Sequence, residues 1–130
     1  TRLQGDWSSD VCSSDLMAIP DFDKILEEKT KTLLAGWKEA ADRKGVPLIC
    51  HQSGSMFGIF FSEKDVLNYA DACASNRDQF KAWFLSMLDQ HIYLAPSPFE
   101  TLFMSYAHSD EDIEKTIKAA DKAMEAAAKV

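Results

Sequence analysis

Residues 47–62 read PLICHQSGSMFGIFFS, and this stretch decides the fold class. Pro47 to His51 and Ser55 to Ser62 are two apolar runs of strand length. Gln52-Ser53-Gly54 lies between them, and glycine accepts the positive φ that tight turns need. Two such runs across a short, Gly-containing connection predict a β-hairpin. The second run is apolar nearly throughout, which predicts a strand covered on both faces. Gly58 inside it predicts a bulge or a close backbone approach.

Upstream of the hairpin the apolar period becomes helical. Pro20-Asp21 opens the helix, since proline is tolerated at a helix start and aspartate is a good cap. Phe22, Ile25, Leu26, Leu33, Leu34, Trp37, Ala40 and Ala41 recur at three- and four-residue spacing and form one face. Lys44-Gly45 closes it, with a cation in the last turn and a glycine for the left-handed cap. Downstream, residues 63–75 have no clear period and read as a loop with one helical turn. Asn76, with Gln79 three residues on, starts a second helix. Its apolar stripe is Phe80, Trp83, Phe84, Met87 and Leu88. It ends near Gln90, which leaves His91 in a left-handed position at a cost of roughly 1 kcal/mol.

His91 to Ala95 predicts a third strand, Pro96-Ser97-Pro98 a stiff extended loop, and Leu102 to Ala107 a fourth strand. Ser109 caps a last helix, with Asp112 at its third position. Ile113, Ile117, Ala120 and Met124 form the inner face, and the Ala- and Lys-rich end is expected to fray. The order helix, hairpin, helix, strand, strand, helix predicts an α+β fold: a small, mostly antiparallel sheet with helices packed on one side.

The chain has 130 residues, enough for one domain. Its net charge of −7 argues against nucleic acid and against an anionic membrane surface as partners. No apolar run approaches the roughly 20 residues of a spanning helix. The cysteines Cys12, Cys50 and Cys73 are odd in number and show no metal-type spacing, so neither a disulfide framework nor a metal is expected. A reducing cytoplasm is the expected compartment, and the start of the chain does not read as a secretory signal.

Residues 1–16 stand apart. They lack any helical or strand period and are rich in Ser and Asp, which predicts disorder. Residues 5–16, GDWSSDVCSSDL, resemble the translation of a common short-read sequencing adapter, and such scars are set aside in fold reasoning. Trp7 and Cys12 are then expected to carry no function, and the protein is expected to continue upstream of the junction. The acidic balance survives their removal.

Few constellations suggest chemistry. Cys50-His51 with His108 fits no zinc pattern. Ser53-Gly54-Ser55 lacks the frame of a nucleophile elbow and is explained by the turn. The stretch Tyr93 to Glu100 is more informative. A proline-bracketed loop presents Ser97 and Glu100 between two apolar runs, and restricted loops are where sites tend to sit. Apolar neighbours Phe99 and Phe103 would desolvate the Glu100 carboxylate and favour its protonated form, which suits proton handling or polar gating. The alternative is a solvated surface carboxylate.

Several blocks together resemble a known family. They are Met56-Phe57-Gly58-Ile59-Phe60-Phe61, Phe80 with Trp83-Phe84 and Met87-Leu88, Ile92-Tyr93-Leu94-Ala95-Pro96-Ser97, Phe99-Glu100, Phe103-Met104-Ser105, Ala107-His108-Ser109 and Asp112-Ile113-Glu114. In order and with few gaps, from about Ile19 to the end, they look like the C-terminal end of the glutamate-1-semialdehyde 2,1-aminomutases, which are class III aminotransferase-like, fold-type I pyridoxal-phosphate enzymes.

The resemblance implies that residues 17–130 are the C-terminal small domain of a homodimeric enzyme. That enzyme would convert glutamate-1-semialdehyde to 5-aminolevulinate for tetrapyrrole synthesis. Its pyridoxal 5'-phosphate and Schiff-base lysine would lie in the large domain upstream, so this chain alone is expected to be inactive and to bind no cofactor. It implies that Glu100 approaches the active site in a supporting role, with Ser97 and Phe99 fixing its loop. It also implies that Phe57, Phe60, Phe99 and Phe103 pack partly against the missing large domain. Three departures bear on substrate: Thr101-Leu102 where the family has Ala-Gly, His91 where it often has Gly, and Ser55 where Gly is common. Another class III aminotransferase, or a free-standing non-catalytic interaction domain, are the alternatives.

Overall fold

The long helical period folds as α1, Phe22–Lys44, in a computed structural model that describes residues 15–130. The expected disorder of residues 1–16 thus lies, but for the last two of them, outside the described residues. Leu26, Leu33, Leu34, Trp37, Ala40 and Ala41 of α1 are buried. Thr30 is buried among them, its hydroxyl donating to the Leu26 carbonyl at 2.8 Å. Gly45 takes the left-handed cap with φ 68°, and the N–H of Val46 returns to the Ala41 carbonyl at 3.0 Å. At the other end Asp21 does not cap as expected. Its own φ is 54° and its side chain makes no cap bond. Its carboxylate instead pairs with Lys24 Nζ at 2.6 Å.

The hairpin forms from β1 (Ile49–Ser53) and β2 (Met56–Phe60), antiparallel, with Ser53 opposite Met56 and Ile49 opposite Phe60. The turn is Gly54-Ser55, with φ 60° at Gly54, one residue later than expected. A positive φ at the first of two loop residues follows the right-handed twist of the strands. The ladder runs regularly through Gly58, so there is no bulge. A Cβ there would meet only the Phe60 ring, at 3.7 Å, so no backbone is close either. β2 is covered on one face rather than two: Phe57 and Ile59 are buried, Phe60 is half-buried and Met56 is exposed.

A short β3, Leu102–Phe103, completes a three-stranded antiparallel sheet of order β1-β2-β3. Two expected strands differ. His91 to Ala95 joins no ladder. His91 takes φ 63°, and the Ile92 N–H is drawn back to the Met87 carbonyl at 3.0 Å, so the helix cap uses the donor a ladder would need. Ile92 and Leu94 still pack against the core. The fourth strand stops at Phe103 because residues 105–108 close a turn of their own. The His108 N–H donates to the Ser105 carbonyl at 3.1 Å, and the Ser105 N–H donates to His108 Nδ1 at 3.2 Å.

Three more helices follow the hairpin: α2 (Tyr69–Ala74), α3 (Arg77–Asp89) and α4 (Asp110–Ala127). Asn76 accepts from the N–H groups of Asp78 and Gln79, as its position predicts. Ser109 and Asp112 form a reciprocal capping box. The last helix runs to Ala127, which is fully buried, and residues 128–130 beyond it are exposed.

α4 packs on both α1 and α3. Its approach to α1 depends on Gly36, where a Cβ would lie 2.7 Å from the Ile117 side chain. At the centre Trp37 stands edge-on to Phe57 at 6.0 Å and to Trp83 at 5.2 Å, which joins sheet to helices. Both indole N–H groups are buried without an acceptor among the described residues, a cost that the aromatic packing must exceed. The layering is the expected one, helices on one side of a small antiparallel sheet.

Candidate functional site: the Ser97–Glu100 turn

Tethering of the chain on both sides creates this turn. The left-handed His91 redirects the backbone out of α3, and Leu102 locks into the ladder opposite Phe57. Residues 96–101 must reverse direction between them. Pro98 pre-sets φ for the second position of a turn, and the Glu100 N–H donates to the Ser97 carbonyl at 3.3 Å. The Ser97 hydroxyl accepts from the Phe99 N–H, also at 3.3 Å. The segment is therefore a closed turn and not the extended loop that two prolines suggest.

Ser97, Phe99 and Glu100 share this turn, but the surroundings of Glu100 differ from those expected. Glu100 is exposed, and Phe103 beside the turn is 62% exposed. The apolar desolvation expected for this carboxylate is not supplied by the described residues.

Two residues that the sequence reading did not single out pack against the turn. Tyr69, first in α2, lies 5.9 Å from the Phe99 ring, tilted by 41°. Arg77, first in α3, holds its guanidinium 5.3 Å from the centroid of the same ring. Such a cation over an exposed ring is worth about 0.5–1 kcal/mol. Hydrogen bonding to the Cys73 side chain raises the Tyr69 phenol above its ordinary pKa. Residues 63–75 showed no period, and a six-residue helix is too short to produce one; the Asn68 cap, whose side chain accepts from the Asp71 N–H, was the available signal.

Next to the turn is an open hollow of about 520 Å³ whose lining includes His91, Tyr93, Leu102, Met104, His108 and Lys115. Ser97, Phe99 and Glu100 are not on its wall. The Cys50, His51 and His108 side chains are each accounted for separately. Burial pushes the Cys50 thiol up to about 11. His51 Nε2 lies 3.3 Å from Asp65 Oδ1, and His108 serves its own turn. Among the described residues no three His, Cys, Asp or Glu side chains converge as metal ligands, and no helix is long and apolar enough to cross a membrane.

No family model matches the chain. Curated relatives do. It is 45% identical over 100 residues to glutamate-1-semialdehyde 2,1-aminomutase 2 of Oceanobacillus iheyensis, covering 77% of this chain and 23% of that protein. It is 46% identical over 105 residues to the aminomutase of Natranaerobius thermophilus (81% and 24%). It is 48% identical over 98 residues to aminomutase 1 of Bacillus cereus (75% and 23%). The chain therefore spans about a quarter of the length of these relatives.

Among solved structures, the fold matches the FumI protein of Sphingopyxis sp. MTA144 in its PLP internal aldimine form. The TM-score is 0.67 at 22% identity, over 88% of this chain and 25% of that one. It also matches a β-phenylalanine aminotransferase from Variovorax paradoxus, with a TM-score of 0.66 at 23% identity, over 75% and 22%. The sheet and helices correspond to the C-terminal part of these folds.

Proposed function

We propose that this chain, which by its sequence belongs with the glutamate-1-semialdehyde 2,1-aminomutases, supplies residues 17–130 as the C-terminal small domain of such an enzyme. The whole enzyme would convert glutamate-1-semialdehyde to 5-aminolevulinate in tetrapyrrole synthesis, as a cytoplasmic homodimer. The identity of 45–48% over three quarters of the chain carries this reading.

Pyridoxal 5'-phosphate, held by the rest of the enzyme, would supply the electron sink and carry the amine. The described residues do not fit that group by themselves. A Schiff-base lysine needs a site that favours its neutral amine. Here Lys24, Lys31, Lys38, Lys44, Lys118 and Lys129 lie in carboxylate pairs, Lys29 donates to the His108 carbonyl, and Lys64, Lys81 and Lys122 are exposed. Lys115, on the wall of the hollow, is exposed. The part left to this chain is to present Glu100 from the Ser97–Phe99 turn as a polar side wall of the substrate cleft. The exposed Phe99 and Phe103 and the half-buried Phe60 then face the large domain. Phe57 does not, since it is 5% exposed in the core beside Trp37.

The test is turnover by the complete enzyme. An aminomutase returns the amine to its own substrate, so 5-aminolevulinate should accumulate from glutamate-1-semialdehyde with no added keto acid. A strict requirement for an external amino acceptor would overturn the reading. It would favour another class III aminotransferase, the reading that the bulkier Thr101-Leu102 suggests, since Leu102 lines the hollow where the family has a small residue.

A further inference from the structure

We propose that Tyr69 and Arg77 are positioning residues that both pack on Phe99 and thereby hold the Ser97–Glu100 turn in one conformation. The inference rests on the reading above only for its consequence at Glu100; the packing itself stands on geometry.

The turn needs outside support. Its closing bonds are both 3.3 Å long, Glu100 N–H to the Ser97 carbonyl and Phe99 N–H to the Ser97 hydroxyl. These are at the long end of the range and solvent competes with them. A turn closed that way would exchange among conformers, and Glu100 has no other anchor among the described residues. Phe99 is the one large side chain of the turn. It is 43% exposed, so the core does not hold it either.

The backbones that carry Tyr69 and Arg77 are tied down, although Tyr69 is itself 76% exposed. The backbone of α2 is capped by Asn68, and the Leu67 N–H donates to Asp71 Oδ2 at 3.1 Å. Ala72 and Ser75 are buried beneath it. The Asn76 N–H, directly before Arg77, donates to the Phe61 carbonyl at 2.8 Å and ties the start of α3 to the end of the sheet. Two capped helices therefore place a phenol ring 5.9 Å and a guanidinium 5.3 Å from the centroid of the part-exposed Phe99 ring. Among the described residues no carboxylate lies within 4 Å of the Arg77 guanidinium to draw it elsewhere.

The experiment is ¹⁵N relaxation and amide exchange across residues 97–101 of the full chain carrying Met56→Lys and Phe103→Lys, the pair expected to suppress self-association, at a concentration where it sediments as a monomer. That parent chain is compared with Arg77→Ala, Arg77→Lys, Tyr69→Ala and Tyr69→Phe made in it. The parent turn should be ordered near the rigid-backbone value of about 0.85, falling towards about 0.6 in Arg77→Ala and Tyr69→Ala. Exchange of the Glu100 amide should quicken about 2- to 5-fold, the factor one exposed cation–π contact sets. Tyr69→Phe keeps the ring and should keep the order; Arg77→Lys should restore part of it. A merely structural role would lower the melting temperature without changing local order at constant fold.

A parent turn already as mobile as the chain ends, or alanine variants with unchanged order, would overturn the proposal. The separate variant Glu100→Gln in the complete enzyme addresses the functional reading: unchanged turnover there would remove the role of Glu100 and leave the packing on Phe99 standing.

Discussion

At the scale of single residues, two backbone positions are set by opposing demands. His91 has φ 63° at the end of α3, where a glycine pays no Cβ penalty. His91→Gly should stabilise the chain by about 1 kcal/mol, read as a higher urea midpoint with an unchanged slope. Gly36 is the reverse. Alanine would gain about 1 kcal/mol of helix propensity, but its Cβ would lie 2.7 Å from Ile117. Overpacking of that kind costs about 1–3 kcal/mol, so Gly36→Ala should lower the midpoint. Adding Ile117→Ala should relieve the clash and recover part of the loss. His91 was legible as a departure from a glycine cap, because its place followed from the end of an apolar stripe. Gly36 was not legible, since nothing in a helical period reveals which face a second helix approaches.

At the scale of elements, the Ser109–Asp112 cap sets where α4 begins and, together with the ion pairs of Asp121 and Glu125, is expected to make stability depend on acid. The Asp112 carboxyl is held below its ordinary pKa, first by the Ser109 hydroxyl and then by the Ser109 N–H. Asp121 is held down by hydrogen bonding to Arg43, and Glu125 by hydrogen bonding to Lys129. A carboxyl with a depressed folded-state pKa stabilises the fold above its unfolded value, near 4, and that stabilisation is lost as pH falls through the folded value. Thermal stability should therefore be flat from about pH 7 to 5 and decline below about pH 4. Ser109→Ala should cost about 1 kcal/mol at neutral pH and make the acid decline shallower; an unchanged acid limb would contradict the assignment.

The same scale shows what sequence could and could not fix. The helix starts at Asn76 and at Ser109 were read correctly because capping is local chemistry within four residues, while the start at Asn68 was missed for want of a following period. The strands were over-read. Apolar runs at 91–95 and 102–107 match a strand pattern, but ladder pairing is a tertiary matter. One run surrendered its first N–H to a helix cap, and the other ended in a turn built by Ser105 and His108.

At the largest scale, the described residues have one well-packed side and one open one. Trp37, Trp83, Met87 and Met124 are fully buried between helices and sheet. On the open side Tyr93 is 75% exposed, Phe103 62% and Met56 43%. Apolar surface of this kind marks an interface. Alone in solution the chain should self-associate and enhance the fluorescence of an apolar dye. Met56→Lys with Phe103→Lys, opposite each other in the β2–β3 ladder, should reduce both. Dye enhancement that ignores these changes would place the exposed surface elsewhere. The fold class was legible from the hairpin and its flanking helices, and Ser97, Phe99 and Glu100 from a proline-bracketed block. Tyr69 and Arg77 were not legible, because the contact that makes them matter joins residues far apart in the chain.

If residues 17–130 are the small domain of a larger pyridoxal-phosphate enzyme, as proposed, sequencing the source DNA upstream of the Ala18 codon will show an open frame that continues through a large domain containing a Schiff-base lysine. A frame that instead begins near Met17, behind its own promoter and ribosome site, would overturn that proposal and leave a free-standing interaction domain.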